Sequence, residues 1–366
     1  MHNSFKGENL RIKFILLCFI LLSLAFLSAC GSAPAEEPAA PAEPAATEAP
    51  VEPSEPSEGL PVQYGQDSRT ELYQHTDAKL KEMAASVAIL VNSQHVKTTG
   101  DSVSLEAYTL DEMSEMGWLV AGATVPMCSN ELFALQPAPG FCTGFLVNED
   151  TLVTAGHCLQ KTPCSDTSIV FGFYMESDKA LASLTTQNVF TCREVVTQVT
   201  PTQENNYLDY AVIKLDRPTG RTGLAYATSD LLEHQDSVAV LGHPSGLPMK
   251  IASDAFVISN DTSSPFFVTN LDTFGSNSGS PVINTSSYEV EGVLVRGVND
   301  YVLSDDDSCV QVNRCPENGS TICGGENATK MVMLSEQISE STAGINCFSG
   351  LSLAFALVVF ARLKTS

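Results

Sequence analysis

The chain has 366 residues, of which 43 are acidic and 19 are basic, and its formal net charge at pH 7 is −24. A strongly anionic protein is repelled by nucleic acids and by anionic membrane surfaces, which argues against polyanionic partners such as nucleic acid. The length suffices for one domain with a large core once the two compositionally distinct ends are set aside.

The N-terminus has the composition of a targeting segment. Basic residues precede an apolar stretch, residues 14–27, which is shorter than the about 20 residues that cross a bilayer as a helix. This stretch ends in Leu-Ser-Ala-Cys-Gly, which resembles a bacterial lipobox. We therefore predict that residues 1–29 are a lipoprotein signal peptide and that Cys30 is lipidated, which would anchor the exported protein in the cell envelope. The alternative is an ordinary signal peptide with an incidental cysteine.

Residues 30–60 are rich in proline, alanine and glutamate and contain no lysine or arginine. Such a segment cannot bury enough apolar surface to fold, and its like charges repel one another. We predict a disordered tether that separates a folded domain from a membrane surface.

Short β-type segments follow one another through residues 61–340. They are rich in valine, isoleucine, phenylalanine and threonine, are separated by turn residues, and span 86–91, 141–147, 151–154, 168–173, 210–215, 238–241, 266–270, 281–283 and 289–295. Helical periodicity is limited to 77–85, 110–116 and 330–338. This pattern predicts an all-β barrel or sandwich with a C-terminal helix.

The C-terminal segment, residues 341–366, contains an apolar stretch at 348–361 that is followed by Arg362 and Lys364. The stretch is again shorter than the about 20 residues of a membrane-spanning helix. Two interpretations stay open, a weakly anchoring tail and a terminal helix packed on the domain.

Three motifs carry the residues of a serine hydrolase. His157 lies in Thr-Ala-Gly-His-Cys, Asp209 in Tyr-Leu-Asp-Tyr-Ala-Val, and Ser278 in Gly-Ser-Asn-Ser-Gly-Ser-Pro. A serine hydroxyl becomes a good nucleophile when an imidazole accepts its proton and a carboxylate orients that imidazole. The chain order His, Asp, Ser is typical of chymotrypsin-like proteases and differs from the order in subtilisins and α/β-hydrolases.

The sequence resembles the trypsin-like bacterial serine endopeptidases, nearest to the V8 or glutamyl-endopeptidase branch. Asn277 and Ser280 beside the serine carry this likeness, together with the stretches 64–69, 141–147 and 292–297. The resemblance covers roughly residues 61–335. It implies two six-stranded antiparallel β-barrels with the active site in the cleft between them. It also implies a monomer that acts on protein or peptide substrates without cofactor or metal.

The family pattern assigns His157 as general base, Asp209 as its orienting partner and Ser278 as nucleophile, with the backbone N–H groups of Ser276 and Ser278 as the oxyanion hole. The alternative for His157 is a buried core histidine. Asp216 is the rival to Asp209, but it follows a strand and is typical of a turn.

Eleven cysteines in an exported chain indicate disulfide bonds. The resemblance implies a pair between Cys142 and Cys158, beside the histidine. The pairing of six further cysteines stays open (Cys128, Cys164, Cys192, Cys309, Cys315 and Cys323). A metal site at Cys309, Cys315 and Cys323 matches no zinc spacing.

Thr273, Leu294 and Arg296 are the candidates for binding the substrate side chain that precedes the cut. Leu294 stands where glutamate-specific relatives use a histidine, so we predict that strict glutamate specificity is absent. Arg296 could support a weaker acidic preference, or it could be a solvated charge at a strand end. The leading function is an exported serine endopeptidase. The alternative is a catalytically silent, protease-like surface lipoprotein that binds a partner.

Overall fold

The computed structural model describes residues 63–315, 324–339 and 341. The predicted signal peptide (1–29), the tether (30–60) with Cys30, and residues 342–366 of the tail lie outside the described residues.

Strands dominate the described chain. In order they are β1 (Gln63–Tyr64), β2 (Arg69–Glu71), β3 (Val87–Asn92), β4 (Val96–Thr99), β5 (Ser102–Leu105), β6 (Gly140–Leu146), β7 (Thr151–Thr154), β8 (Thr167–Phe171), β9 (Met175–Ser177), β10 (Ala180–Leu181), β11 (Leu184–Thr185), β12 (Val189–Val199), β13 (Tyr210–Leu215), β14 (Ser237–Gly242), β15 (Lys250–Ser259), β16 (Phe266–Thr269), β17 (Pro281–Asn284), β18 (Val290–Arg296), β19 (Tyr301–Leu303), β20 (Val310–Val312), β21 (Arg314–Cys315) and β22 (Glu326–Lys330). The α-helices are α1 (Ala78–Met83), α2 (Leu110–Glu115) and α3 (Gly156–Lys161), and residues 335–339 are also helical.

The first barrel is closed by six antiparallel strands in the order β12-β13-β7-β6-β3-β8. The long strand β12 pairs with β8 through its first residues and with β13 through the rest, and its register shifts twice along the way. Such bulges bend and twist a strand, which allows a small sheet to close on itself. The β13 sequence Tyr-Ala-Val-Ile-Lys-Leu is buried throughout.

The second barrel contains six antiparallel strands in the order β14-β17-β18-β22-β16-β15, and the pairing of β14 with β15 closes it. Strand β2 adds to the free side of β15 at Lys250–Ala252. One apolar cluster joins the two barrels, with Phe145 and Leu152 from the first and Leu241 and Ile283 from the second. The predicted architecture of two six-stranded barrels is confirmed.

Three barrel strands were missed by the sequence pattern. In β12 and β15 exposed polar residues interrupt the apolar run. At 330–338 a continuous helix was predicted, but Lys330 ends β22 and a 3-10 turn (Met331–Met333) precedes the helical residues 335–339. Strand β22 forms because it pairs with β16 on one side and with β18 on the other, and this tertiary pairing overrides local propensity.

An insertion of residues 93–139 separates β3 from β6. It contains the β4–β5 hairpin and α2, which begins with a capping box between Thr109 and Glu112. A disulfide between Cys128 and Cys309 ties the insertion to the loop between β19 and β20. Apolar residues of the insertion pack with Phe274 and Val310 in an apolar cluster that is separate from the barrel cores.

Two more disulfides lie in the first barrel, Cys142–Cys158 and Cys164–Cys192. Cys315 is also disulfide-bonded, and Cys323 lies outside the described residues. No helix within the described ranges is long and apolar enough to cross a membrane.

Candidate active site

His157 is the second residue of α3, the short helix that follows β7. Glycine is required before it, because a Cβ on Gly156 would lie 2.0 Å from the carbonyl oxygen of Val199. This close approach brings the start of the helix against β12 and the beginning of β13. The His157 side chain stays 20% exposed, so the structure does not place it as a fully buried core histidine.

Asp209 directly precedes β13 and is completely buried. Its Oδ2 lies 2.7 Å from His157 Nδ1, and its Oδ1 accepts hydrogen bonds from the backbone N–H groups of Gly156 (2.7 Å) and His157 (3.1 Å). These donors fix the position of the carboxylate and offset the free-energy cost of burying its charge. With Nδ1 donating its proton to Asp209, Nε2 keeps its lone pair free to act as a base.

Asp216, the rival carboxylate, lies elsewhere. Its Oδ1 accepts a hydrogen bond from the backbone of Thr191 at 2.9 Å, and its Oδ2 pairs with Arg217 at 2.6 Å. It stabilises the turn after β13 and does not contact His157.

Ser278 lies in the turn that leads into β17. The turn needs glycine after the serine, since Gly279 has φ +91° and a Cβ there would lie 2.0 Å from the carbonyl oxygen of Thr143. The Ser278 carbonyl accepts a hydrogen bond from Thr143 N–H in the first barrel. The turn is thereby held across the cleft between the barrels.

The Cys142–Cys158 disulfide connects the two halves of the site. Cys158 Sγ lies 3.9 Å from His157 Nε2 and 3.7 Å from the Ser278 carbonyl oxygen. Among the described residues, Ser278 Oγ has no hydrogen-bond partner, His157 Nε2 included. In serine hydrolases this bond often tightens only when substrate is bound.

The turn before Ser278 presents two unused amides. Ser276 has φ +66°, an unusual left-handed conformation for a residue with a side chain. Within the described part of the chain, the backbone N–H groups of Ser276 and Ser278 donate to no acceptor, whereas those of Gly275 and Asn277 do. The free N–H groups of Ser276 and Ser278, two residues apart in this turn, can donate hydrogen bonds to a developing oxyanion.

A cavity of about 730 Å³ opens beside Ser278, and the three candidate substrate-binding residues line it. Leu294 forms part of its wall, and Thr273 donates its hydroxyl hydrogen bond to the Glu326 carboxylate. Arg296 Nη1 donates to the Tyr207 carbonyl at 2.8 Å, and its guanidinium lies 4.8 Å from the Phe266 ring centre. Its burial lowers the pKa of Arg296. One N–H group of Arg296 is therefore used by a backbone carbonyl, and Arg296 forms no ion pair within the described residues.

Sequence reasoning missed the acidic residues around this cavity. Glu326 is 1% exposed, and burial raises its pKa well above the ordinary value. Burial also raises the pKa of Asp300 to about 7. Asp272 is buried next to Thr273. Asp272 could have been found from the sequence, because it directly precedes the candidate substrate-binding residue Thr273. No motif surrounds Glu326 in the sequence.

Several of the described cysteines lie near one another, but they are held in disulfides. The described residues contain one group of potential ligands within reach of one another, Cys142, His157 and Cys158. Both sulfurs belong to one disulfide, and metals bind the thiolate form of cysteine. The Cys309, Cys315 and Cys323 set includes two cysteines that are disulfide-bonded.

Residues 142–293 match the family described as the trypsin-like peptidase domain. The chain therefore carries a trypsin-like peptidase domain, and the resemblance drawn from the motifs is confirmed. Over 159 residues it is 30% identical to the glutamyl endopeptidase of Bacillus licheniformis, a match that covers 40% of this chain and 46% of that protein. The chain thus spans about half the length of this curated relative.

Among solved structures, the chain matches the VesB protease of Vibrio cholerae. That match has a TM-score of 0.44 and 13% identity and covers 77% of this chain and 68% of the other. A Glu endopeptidase in complex with MPD gives a TM-score of 0.42 and 18% identity, covering 77% of this chain and all of the other.

Proposed function

We propose that the chain is an exported serine endopeptidase that hydrolyses peptide bonds of protein or peptide substrates through an acyl-enzyme. The observation that carries this proposal is the buried Asp209 carboxylate bonded to His157 Nδ1 at 2.7 Å, across the cleft from a serine turn with two free amides. A buried carboxylate in that position gives the partly exposed imidazole of His157 one defined tautomer and lets it become positively charged during the reaction.

Catalysis would proceed in two halves. His157 Nε2 takes the proton from Ser278 Oγ as the oxygen attacks the substrate carbonyl carbon, and the resulting oxyanion accepts hydrogen bonds from the N–H groups of Ser276 and Ser278. Each such donor is worth about 3 kcal/mol of transition-state stabilisation. His157 then donates its proton to the leaving amine. A water molecule repeats the sequence on the acyl-enzyme and regenerates the serine hydroxyl.

Labelling with a fluorophosphonate tests the proposal, since such probes react with an activated serine. The wild-type protein should be labelled and should cleave casein, while Ser278→Ala should do neither and should remain folded. Ser286→Ala is the matched control, because Ser286 is an exposed serine, and it should behave like wild type. A Ser278→Ala protein that cleaves casein at near wild-type rate would contradict the assignment.

A second candidate is a catalytically silent, protease-like binding protein. The observation in its favour is that Ser278 Oγ makes no hydrogen bond within the described residues. This candidate predicts that the folded wild-type protein is neither labelled nor active, so the same experiment separates the two.

Export and attachment through Cys30 are part of the proposal. They are supported by the sequence of residues 1–30, in which basic residues, an apolar stretch and a lipobox-like ending follow one another. The tether of residues 30–60 would then place the protease domain away from the membrane surface.

A further inference from the structure

A second cavity, of about 760 Å³, lies between the insertion of residues 93–139 and the β9–β10 hairpin. None of the candidate catalytic residues lines it. Met127 and Phe133 of the insertion and Met175 of β9 form part of its wall. Leu135 and Leu181 border it with 79% and 38% of their surface exposed. An exposed apolar patch at the mouth of a cavity indicates a surface that binds an apolar group.

Glu131 places an unused hydrogen-bond acceptor in the wall of this cavity. Its side chain is only 1% exposed. Oε2 pairs with Arg314 Nη2 at 2.8 Å, whereas Oε1 is buried without a hydrogen-bond partner. An unpaired buried carboxylate oxygen is costly. The wall is therefore suited to an occupant that brings an N–H donor as well as apolar groups.

The described chain begins close to this carboxylate. Gln63, the first residue of β1, lies opposite Arg314 in the parallel pairing of β1 with β21. The Arg314 side chain extends from that pairing to Glu131. The chain that precedes Gln63 therefore starts about one arginine side-chain length from the cavity wall. Four extended residues span up to about 14 Å, which is enough to cross that distance.

Charge determines which of the preceding residues suit the cavity. Three acidic residues line it (Asp111, Glu131 and Asp178), but only one basic residue, Lys179. Residues 31–58 contain seven glutamates and no lysine or arginine, so this acidic part of the chain would be repelled. Residues 59–62 have the uncharged sequence Gly-Leu-Pro-Val. Their backbone keeps an N–H donor at Leu60 and at Val62, which Pro61 lacks.

We propose that residues 59–62 of this chain dock into the cavity, with Leu60 against Leu135 and Leu181 and with a backbone N–H donated to Glu131 Oε1. The predicted tether then ends at residue 58. The insertion also contributes Met113 and Trp118 to the wall of the cavity beside Ser278. Docking therefore restrains an insertion that also borders the candidate active site. This inference does not depend on the proposed function.

Amide hydrogen exchange on the full-length exported protein measures this docking and needs no catalysis. After correction for intrinsic rates, the amides of Leu60 and Val62 should exchange at least about tenfold more slowly than those of residues 31–50. Leu135→Ser replaces a side chain that is 79% exposed, so the fold should survive and the protection of Leu60 and Val62 should be lost. Leu231→Ser is the matched control, because Leu231 is 78% exposed and does not line the cavity. It should leave the exchange of Leu60 and Val62 unchanged.

Leu60→Asp tests the same contact from the other side. The added charge would face the acidic lining, so the amide of Val62 should lose its protection and exchange at residues 126–137 should become faster. Absence of protection in the wild-type protein, or protection that survives both Leu135→Ser and Leu60→Asp, would overturn the inference. Protection of residues 126–137 that rises with protein concentration would overturn it too, in favour of a second copy of this chain. A protein that is protected at Leu60 and Val62 but cleaves no casein would refute the proposed function and leave this inference standing.

Discussion

The substitution Asp209→Asn tests the orienting role of the buried carboxylate without changing its shape. Oδ1 of Asp209 faces the backbone N–H groups of Gly156 and His157. In the variant the amide oxygen must occupy this position, because an NH₂ group there would oppose two donors. The NH₂ group then faces His157 and donates to Nδ1. The imidazole proton is driven to Nε2, which can no longer accept the proton of Ser278.

This tautomer change should lower kcat greatly and should change the free energy of unfolding little. The same substitution at the corresponding position of another serine protease lowers kcat by about 10⁴, or about 5.5 kcal/mol of barrier. Asp209 is fully buried here and keeps its two backbone hydrogen bonds as Asn, so we expect a loss of the same order with little change in the free energy of unfolding. The assay is kcat/KM on a fluorogenic peptide, with thermal unfolding recorded for each protein.

Asp216→Asn is the matched control, since it makes the same chemical change at the rival carboxylate. Asp216 contacts Thr191 N–H and Arg217, so its kcat/KM should stay within about twofold of wild type. If Asp209→Asn keeps more than a tenth of the activity, or if Asp216→Asn is the variant that loses it, the reasoning on the tautomer is wrong.

Two further predictions concern stability and location. His243 directly follows β14 and is completely buried. Burial lowers the pKa of His243 to about 3, so below about pH 6.5 the unfolded chain binds a proton there that the folded chain does not. From pH 7 to pH 4 the free energy of unfolding of wild type should therefore fall by about 3 kcal/mol more than that of His243→Asn, as measured by urea denaturation. Parallel pH curves for the two proteins would contradict this. Cys30→Ser should move the protein from the membrane fraction to a soluble one in its native host, since stable anchoring needs two or more lipid chains. Unchanged fractionation would point to residues 348–361.

The barrel strands could be predicted where the local sequence is an apolar run typical of a buried strand. Strands such as β3 and β13 are nearly continuous runs of valine, isoleucine, leucine and alanine, and these runs read as strands without further information. Strands β12 and β15 alternate buried and exposed positions with charged residues among them. Their strand conformation follows from neighbours that close the barrels, which a local pattern does not contain.

The candidate site divides in the same way. His157, Asp209 and Ser278 each lie in a short motif that marks its chemistry. Glu326 lies in no such motif, and it comes to the cavity only through the pairing of β22 with β18. Arg296 was considered as a donor to substrate because of its place in the sequence. Its engagement with the Tyr207 carbonyl depends on a contact between segments that the sequence does not relate.

The hydrogen bonds of Asp272 connect the residues around β1 and β2 to the wall of the cavity. The Tyr64 and Ser68 groups that satisfy this buried carboxylate come from the loop around β1 and β2. A chain shortened past Ser68 would leave several acceptor sites of Asp272 without donors, at a cost of about 1–3 kcal/mol for each unsatisfied group. The wall that carries Thr273 would lose its support although every catalytic residue remained in the chain. The residues around β1 and β2 therefore support the wall of the candidate substrate cavity, and a shortened recombinant protein must retain them.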